Sequence, residues 1–317
     1  MKSGTWAFLL GGIALYVGAS FAGSGELVEP VGDGEINWSQ GIITAKGSGA
    51  PPVEAKNIAQ ARLMAERAAL ADARRNLLEV VKGVRVDSET TVENFMVKGD
   101  QIRLQVEGFI QGAAELKNRR RYLSDGAIET TVAMSLSGDF LTFLLATSQT
   151  RAEVKPAMKE PLSPPKPILP PEKKIDLPPP LPRVTTEEEK PIPVKRPETA
   201  LTDLPRFTGL VIDARGLNLR AALIPQILDE RGQELYQADY VGAEKSASQG
   251  LALYFRDLTA AQTHPRVGKN PLTVKGAKVP SDRPSAVMLN AEGTKRVAPF
   301  ARKGTFLEQC KVTMVLD

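Results

Sequence analysis

The stretch from about Arg151 to Pro205 holds 15 of the chain's 24 prolines, in runs such as "PLSPPKPILPPEKKIDLPPPLPRV". Each proline removes a backbone donor and fixes φ, so neither a helix interior nor a central strand can run through such a segment. The favoured path is a solvated polyproline II helix, and at roughly 3.1 Å per residue about 50 residues reach about 150 Å. Residues 151–205 are therefore expected to be a long disordered proline-rich linker, with its scattered lysines and "TEEEK" keeping it in water. The same composition also suits a docking strip for a proline-recognition domain, but a semi-rigid spacer is the simpler reading. A chain of 317 residues divided in this way is expected to fold as two small domains, residues 32–148 and residues 206–317.

Ahead of the first domain, "MKSGTWAFLLGGIALYVGASFAGSGE" places Lys2 before an apolar run and small residues Ser20 and Ala22 after it. That is the pattern of a signal peptide over residues 1–22, cleaved after Ala22; an uncleaved anchor is the alternative. The single cysteine, Cys310, lies far from that junction, so no lipid anchor is expected on this chain and no internal disulfide can form. The expected location is the periplasm or the outer-membrane surface. A net charge of +4 and 5% aromatic residues supply neither the basic footprint nor the stacking platforms of a nucleic-acid binder.

Within residues 32–148, "NWSQGIITAKG" offers β-formers ending in glycine, and "SGAPPVEAKN" offers prolines at a helix entry with Glu54 in the first turn. The alanine-rich run that follows predicts one long helix to about Lys82, closed by a left-handed Gly83. Its buried stripe is expected to be Ala61, Met64, Ala65, Ala68, Ala71 and Leu78. Alanine allows close approach to a sheet, whose strands are expected in "VRVDSETTV", "QIRLQVEGFI" and "AIETTVAMSL". Asp125 and Gly126 mark a tight hairpin turn between the last two.

Taken in order, "GIITAKGSGAPP", the stretch "NIAQARLMAERAALADARRNLLEVVKGVRVDSETTVENF" from Asn57 to Phe95, "VEGFIQGA" and "DGAIETTVAMSL" resemble the envelope lipoprotein family called Lpp-twenty over residues 36–148, and more distantly the N-terminal domain of flagellar assembly protein T. The resemblance implies an α+β domain, a helix on a small sheet, in the bacterial envelope; in the flagellar relative that domain belongs to a ring around the basal body. The lipobox cysteine of the lipoprotein pattern is missing here.

In residues 206–317, Leu210, Val211 and Ile212 predict a buried strand, and "ILDERGQELY" a hairpin turning at Arg231 and Gly232. "QGLALYFRDLTAAQ" predicts a helix, while "HPRVGKNPLTV" and "KVPSDRPSAVMLN" each predict a loop and a strand. This half resembles a C-terminal module appended to Lpp-twenty-type domains. The fold class is α+β, two small domains each with a helix on a mainly antiparallel sheet.

Chemistry is sparsely supplied. His264 is the single histidine, expected at the surface of a polar turn, so a two-histidine metal site is impossible and a triad would depend on this one residue. "RVGKNP" lacks the first glycine and the hydroxyl residue of a phosphate loop. Cys310 reads as a small buried hydrophobe. Asp213, Asp229 and Glu230 sit near strand ends, where acids serve a glycosidase or merely form turns. Arg119, Arg120 and Arg121 in "KNRRRY" form the strongest local charge, suited either to an anionic surface or to guarding a strand edge against aggregation. No cofactor and no metal are expected.

The expected function is that of a non-enzymatic envelope structural or assembly protein. Its two modules would be held apart by the spacer, with flagellar or outer-membrane components as partners, peripheral membrane contact and self-association. The alternative is a periplasmic peptidoglycan-binding protein or glycan hydrolase.

Overall fold

Strands β1 (Val28–Val31) and β2 (Gly34–Asn37) form an antiparallel hairpin, turned by Gly32 at φ +53°. The computed structural model describes residues 25–153 and 207–317, apart from residues 237, 239, 240, 242 and 303. The signal segment 1–22 and the linker from residue 154 to residue 205 lie outside the described residues. The first strand precedes the boundary read at residue 32.

Strand β3 (Ile42–Gly49) pairs with β2 and, along its full length, with β6 (Ile128–Ser135). Two short strands, β4 (Ala114–Glu115) and β5 (Arg121–Tyr122), pair with the other edge of β6, so the sheet is antiparallel at every pairing. Helix α1 (Ile58–Lys82) covers one face of it. The helix begins where the Asn57 side chain accepts a bond from Gln60 N at 2.8 Å, the usual way of satisfying an orphan donor.

The buried stripe of α1 is Ala65, Ala69, Ala73, Leu77, Val80 and Val81, which corrects the expected set: Ala65 alone is common to both. The close approach itself holds, because β3 presents glycines to the helix. A Cβ at Gly47 would clash with the Ala73 nitrogen and the Ala69 oxygen, and one at Gly49 with the Ala65 oxygen. Glu54 lies before the cap, with no acid in the first turn, and Gly83 is right-handed at φ −74°.

"QIRLQVEGFI" is a helix, α3 (Asp100–Gln111), where a strand was expected. Its period-two run also fits an i, i+4 pattern: Val106 and Ile110 are buried, Leu104 is 66% exposed, and Arg103 pairs with Glu107 at 3.0 Å. "VRVDSETTV" contributes only an Arg85–Thr91 bridge around a turn, followed by helix α2 (Val92–Met96). Helix α4 (Asp139–Glu153), unforeseen, packs Phe140 and Phe143 on Phe109 of α3, with ring centroids 5.6 and 5.9 Å apart. The Asp125–Gly126 turn is present, with Gly126 at φ +85° and Leu123 N bonded to Ala127 O at 2.9 Å.

The C-terminal lobe contains β7 (Gly209–Asp213), β8 (Gln226–Leu228), β9 (Glu234–Tyr236), α5 (Ala243–Gln249), β10 (Leu253–Phe255) and α6 (Leu258–Thr263). It continues with β11 (Pro271–Lys278), β12 (Ala286–Leu289), α7 (Ala291–Val297) and β13 (Val312–Val315). The helix expected over "QGLALYFRDLTAAQ" is divided, its first half being strand β10 and its second half α6.

The sheet runs β10-β13-β7-β11-β12-β8-β9. Only β11–β12 and β8–β9 are antiparallel; β10–β13, β13–β7, β7–β11 and β12–β8 are parallel, which corrects the antiparallel expectation for this lobe. The physical reason is burial on both faces: Leu210, Val211 and Ile212 are all fully buried, as are Val312 to Val315, and uninterrupted apolar runs belong to covered parallel strands. The α+β class stands, with both lobes built as helices on a sheet.

Among the described residues, those from 25 to 148 and from 207 to 317 form one compact unit. The two lobes are therefore packed together, not held apart. No helix among the described residues is long and apolar enough to cross a membrane.

Candidate functional site

The polar groups most fully engaged with one another lie where the lobes meet. Asp87 starts the arrangement: its Oδ1 accepts from the backbone of Glu89 and Thr90, both at 2.8 Å, and this local turn fixes Arg85 beside it. Arg85 then grips Glu29 with two nitrogens at 3.1 and 2.5 Å and donates through Nε to Ala221 O at 2.8 Å. Trp38 Nε1 donates to the same carboxylate at 3.0 Å, and its ring meets Tyr254 edge-on at 5.8 Å. Burial pushes the Glu29 carboxyl up, yet the bonds from Arg85 and Trp38 outweigh it and hold the group below its ordinary value.

Backbone groups complete the seam. Leu223 N bonds Arg85 O at 3.0 Å, Ile224 N bonds Val86 O at 2.8 Å, and Arg256 N bonds Gly25 O at 2.9 Å. Ser39 accepts from Leu27 N at 2.8 Å and donates to Tyr254 O, while Ser88 and Ser285 hydroxyls meet at 2.6 Å. Glu26 bridges Phe255, so the outer edge of β10 is covered by the chain leading into β1. Sequence reasoning missed this seam; the one legible signal was the Asp-Ser-Glu turn beside Arg85.

The arginine triplet divides by face. Arg120 points under α1, where it binds Glu115 at 2.6 Å and Glu66 at 3.4 Å, and Glu115 also accepts from Thr130 at 2.6 Å. Burial raises the Glu115 carboxyl, but Thr130 and Arg120 together bring it below its ordinary value. Arg62 lies 4.3 Å over the Tyr122 ring, closing this network. Arg119 and Arg121 line a hollow of about 310 Å³ that Arg120, Lys46, Asn118, Glu129, Thr130 and Thr131 also border.

The other candidates are held by structural bonds. Asp213 is gripped by Arg215 at 2.8 and 2.7 Å, which keeps its carboxyl below the ordinary value. Asp229 accepts from Arg231 N and Gln233 N at 2.8 and 2.7 Å and so makes the hairpin turn; Glu230 is exposed beside it. His264 is half-buried against Phe255, centroids 5.2 Å apart, and accepts from Arg266 N; it is not the surface residue expected. Burial, then Arg266, pushes its pKa down. Cys310 is buried at φ +53°, its thiol pushed up by burial. Arg266 donates to the carbonyls of Cys310 and Gln249, both at 2.6 Å, and of Gly250. No group of three metal-capable side chains occurs among the described residues.

A family model described as Treponema pallidum Tp0624, second domain, matches residues 209–317, which is the C-terminal lobe. No curated protein matches the chain.

Proposed function

We propose that this protein is a non-enzymatic structural or assembly protein of the bacterial envelope, exported by its N-terminal segment and joined to flagellar or outer-membrane components through the faces of its two-lobed body. The observation that carries the reading is the seam through Arg85: Glu29 of the same lobe holds its guanidinium, while its Nε and the backbone beside it bond Ala221 O, Leu223 N and Ile224 N of the other lobe, so the two lobes form one compact body and present their surfaces together. A rigid body of this kind suits recognition by shape, because little ordering entropy is left to lose on association. The glycan-hydrolase alternative draws no support from the carboxylates, since both oxygens of Asp213 are taken by Arg215 and Asp229 is used by its turn.

Affinity capture of the tagged chain from cross-linked cells tests the proposal, with mass spectrometry of the eluate. Enrichment of flagellar basal-body or outer-membrane components is expected, together with a mature N-terminus after Ala22. Turnover of a peptidoglycan fragment by the purified chain, abolished by Asp213→Asn, would overturn it.

A further inference from the structure

Five residues expected in the buried stripe of α1, namely Ala61, Met64, Ala68, Ala71 and Leu78, lie outside the stripe that the sheet covers. The helical repeat of 3.6 residues turns them away from Ala69, Ala73 and Leu77. Ala68 and Ala71 are exposed, and Met64 is 44% exposed. With Arg75 they follow one another at alternating steps of three and four residues, which are the a and d positions of a heptad. That is the pattern of a seam against a second helix. Arg67 and Arg74 flank the seam at g positions, and Asp72 and Glu79 flank its other side at e positions. Among the described residues no ion pair engages Arg67 or Arg74, and the buried Nε of Arg74 has no hydrogen-bond partner. Helix α3 walls the far end of the face with Glu107 and Gln111, leaving a hollow of about 320 Å³ beside Ala71, Arg74, Arg75 and Leu78. Those four occupy successive d, g, a and d positions, the set that makes a hole for a knob from a facing helix.

We propose that this face of α1 binds α1 of a second copy of the chain, the two helices parallel and in register about a twofold axis. The charged flanks select both the occupant and the direction. In a parallel pair a g position lies beside the e position of the next heptad in the other helix, so Arg67 meets the partner's Asp72 and Arg74 meets the partner's Glu79. An antiparallel pair sets g against g, which brings Arg67 to the partner's Arg74 and repels. Alanine at positions 61, 68 and 71 lets the axes approach to about 8 Å, while Met64 and Leu78 supply the larger apolar contacts. Arg75 occupies a seam position, and within one chain Asp72 holds it at 2.5 Å. When the partner's Arg67 reaches Asp72, Arg75 turns into the partner's hollow, where a glutamate and a glutamine offer oxygens. A charged residue at one seam position lowers the stability of such a pair and fixes its register. The inference does not rest on the envelope reading and holds in any compartment.

Sedimentation equilibrium of the full chain over a range of concentrations tests the pairing. A monomer–dimer equilibrium is expected, its Kd raised at least tenfold by Ala71→Arg and by Arg67→Glu and unchanged by Lys278→Gln on the other lobe. All three positions are exposed, and circular dichroism checks that the variants fold. Direction is read by cross-linking, for which the native cysteine is silent because Cys310 is buried. Mild oxidation should yield covalent dimers of Met64→Cys, suppressed when Arg67→Glu is added, and none of Lys278→Cys. A chain that stays monomeric at every concentration leaves the face to another partner and overturns the proposal. So does a dimer indifferent to Ala71→Arg and Arg67→Glu, or an associating chain whose Met64→Cys variant forms no covalent dimer, since a parallel pair in register brings those two positions together.

Discussion

Arg85 makes three donor contacts in different directions, to both oxygens of Glu29 and to Ala221 O, so truncating it leaves a part-buried carboxylate and a carbonyl without partners. Arg85→Ala is expected to cost about 1–3 kcal/mol, the range for leaving a buried polar partner unsatisfied, measured by urea unfolding. The acid dependence follows from the lowered carboxyls. Glu29 and Glu115 have ordinary values of 4.5 and lower folded ones, so their contribution is complete above about pH 4.5 and is lost as pH falls through the folded values. Glu29→Gln should therefore show a smaller drop in Tm between pH 7 and pH 3 than the parent chain; an unchanged drop would remove Glu29 from the seam's energetics. At this scale the sequence marked Arg119 to Arg121 as a unit, but the division of labour among them depends on which face α1 covers, and no local pattern encodes that.

Helix α1 and strand β3 are matched by small residues on both sides, alanine on the helix and glycine on the strand. Gly47→Ala inserts a methyl into the Ala69–Ala73 backbone and is expected to destabilise by about 1–3 kcal/mol through overpacking, read as a lower urea midpoint. Gly108→Ala provides the opposite case: that glycine lies within α3 with open space at its Cβ, so alanine should stabilise by about 0.5–1 kcal/mol. The existence of α1 was legible because 25 residues of helix-formers end at a glycine, but its buried stripe was not. Alanine repeats so densely here that several stripes fit, and the one chosen is that which meets Gly47 and Gly49. The same ambiguity misled over α3, where Ile102, Leu104 and Val106 satisfy a strand's period while Ile102, Val106 and Ile110 satisfy a helix's.

At the scale of the whole molecule, the proline-rich segment suggested separation, whereas the lobes share a seam of backbone and side-chain bonds. A protease site inserted between residues 170 and 190 tests which holds them together. After cleavage the two pieces should still co-elute on size exclusion, and Trp38→Ala combined with Arg85→Ala should let them part; immediate separation of the parent pieces would show that the seam is too weak to act alone. The sequence by itself determined the α+β class, the long helix, both hairpin turns and the two-lobed division, because capping, turn chemistry and apolar periodicity act within a few residues of one another. Only the tertiary structure decided the parallel core of the second sheet, the docking of the lobes and the gathering of Lys46 with Arg119 and Arg121. Those depend on partners between about 60 residues apart in the chain, such as Leu253 with Thr313, and about 230 apart, such as Gly25 with Arg256, and residues so far apart leave no mark on each other's local pattern.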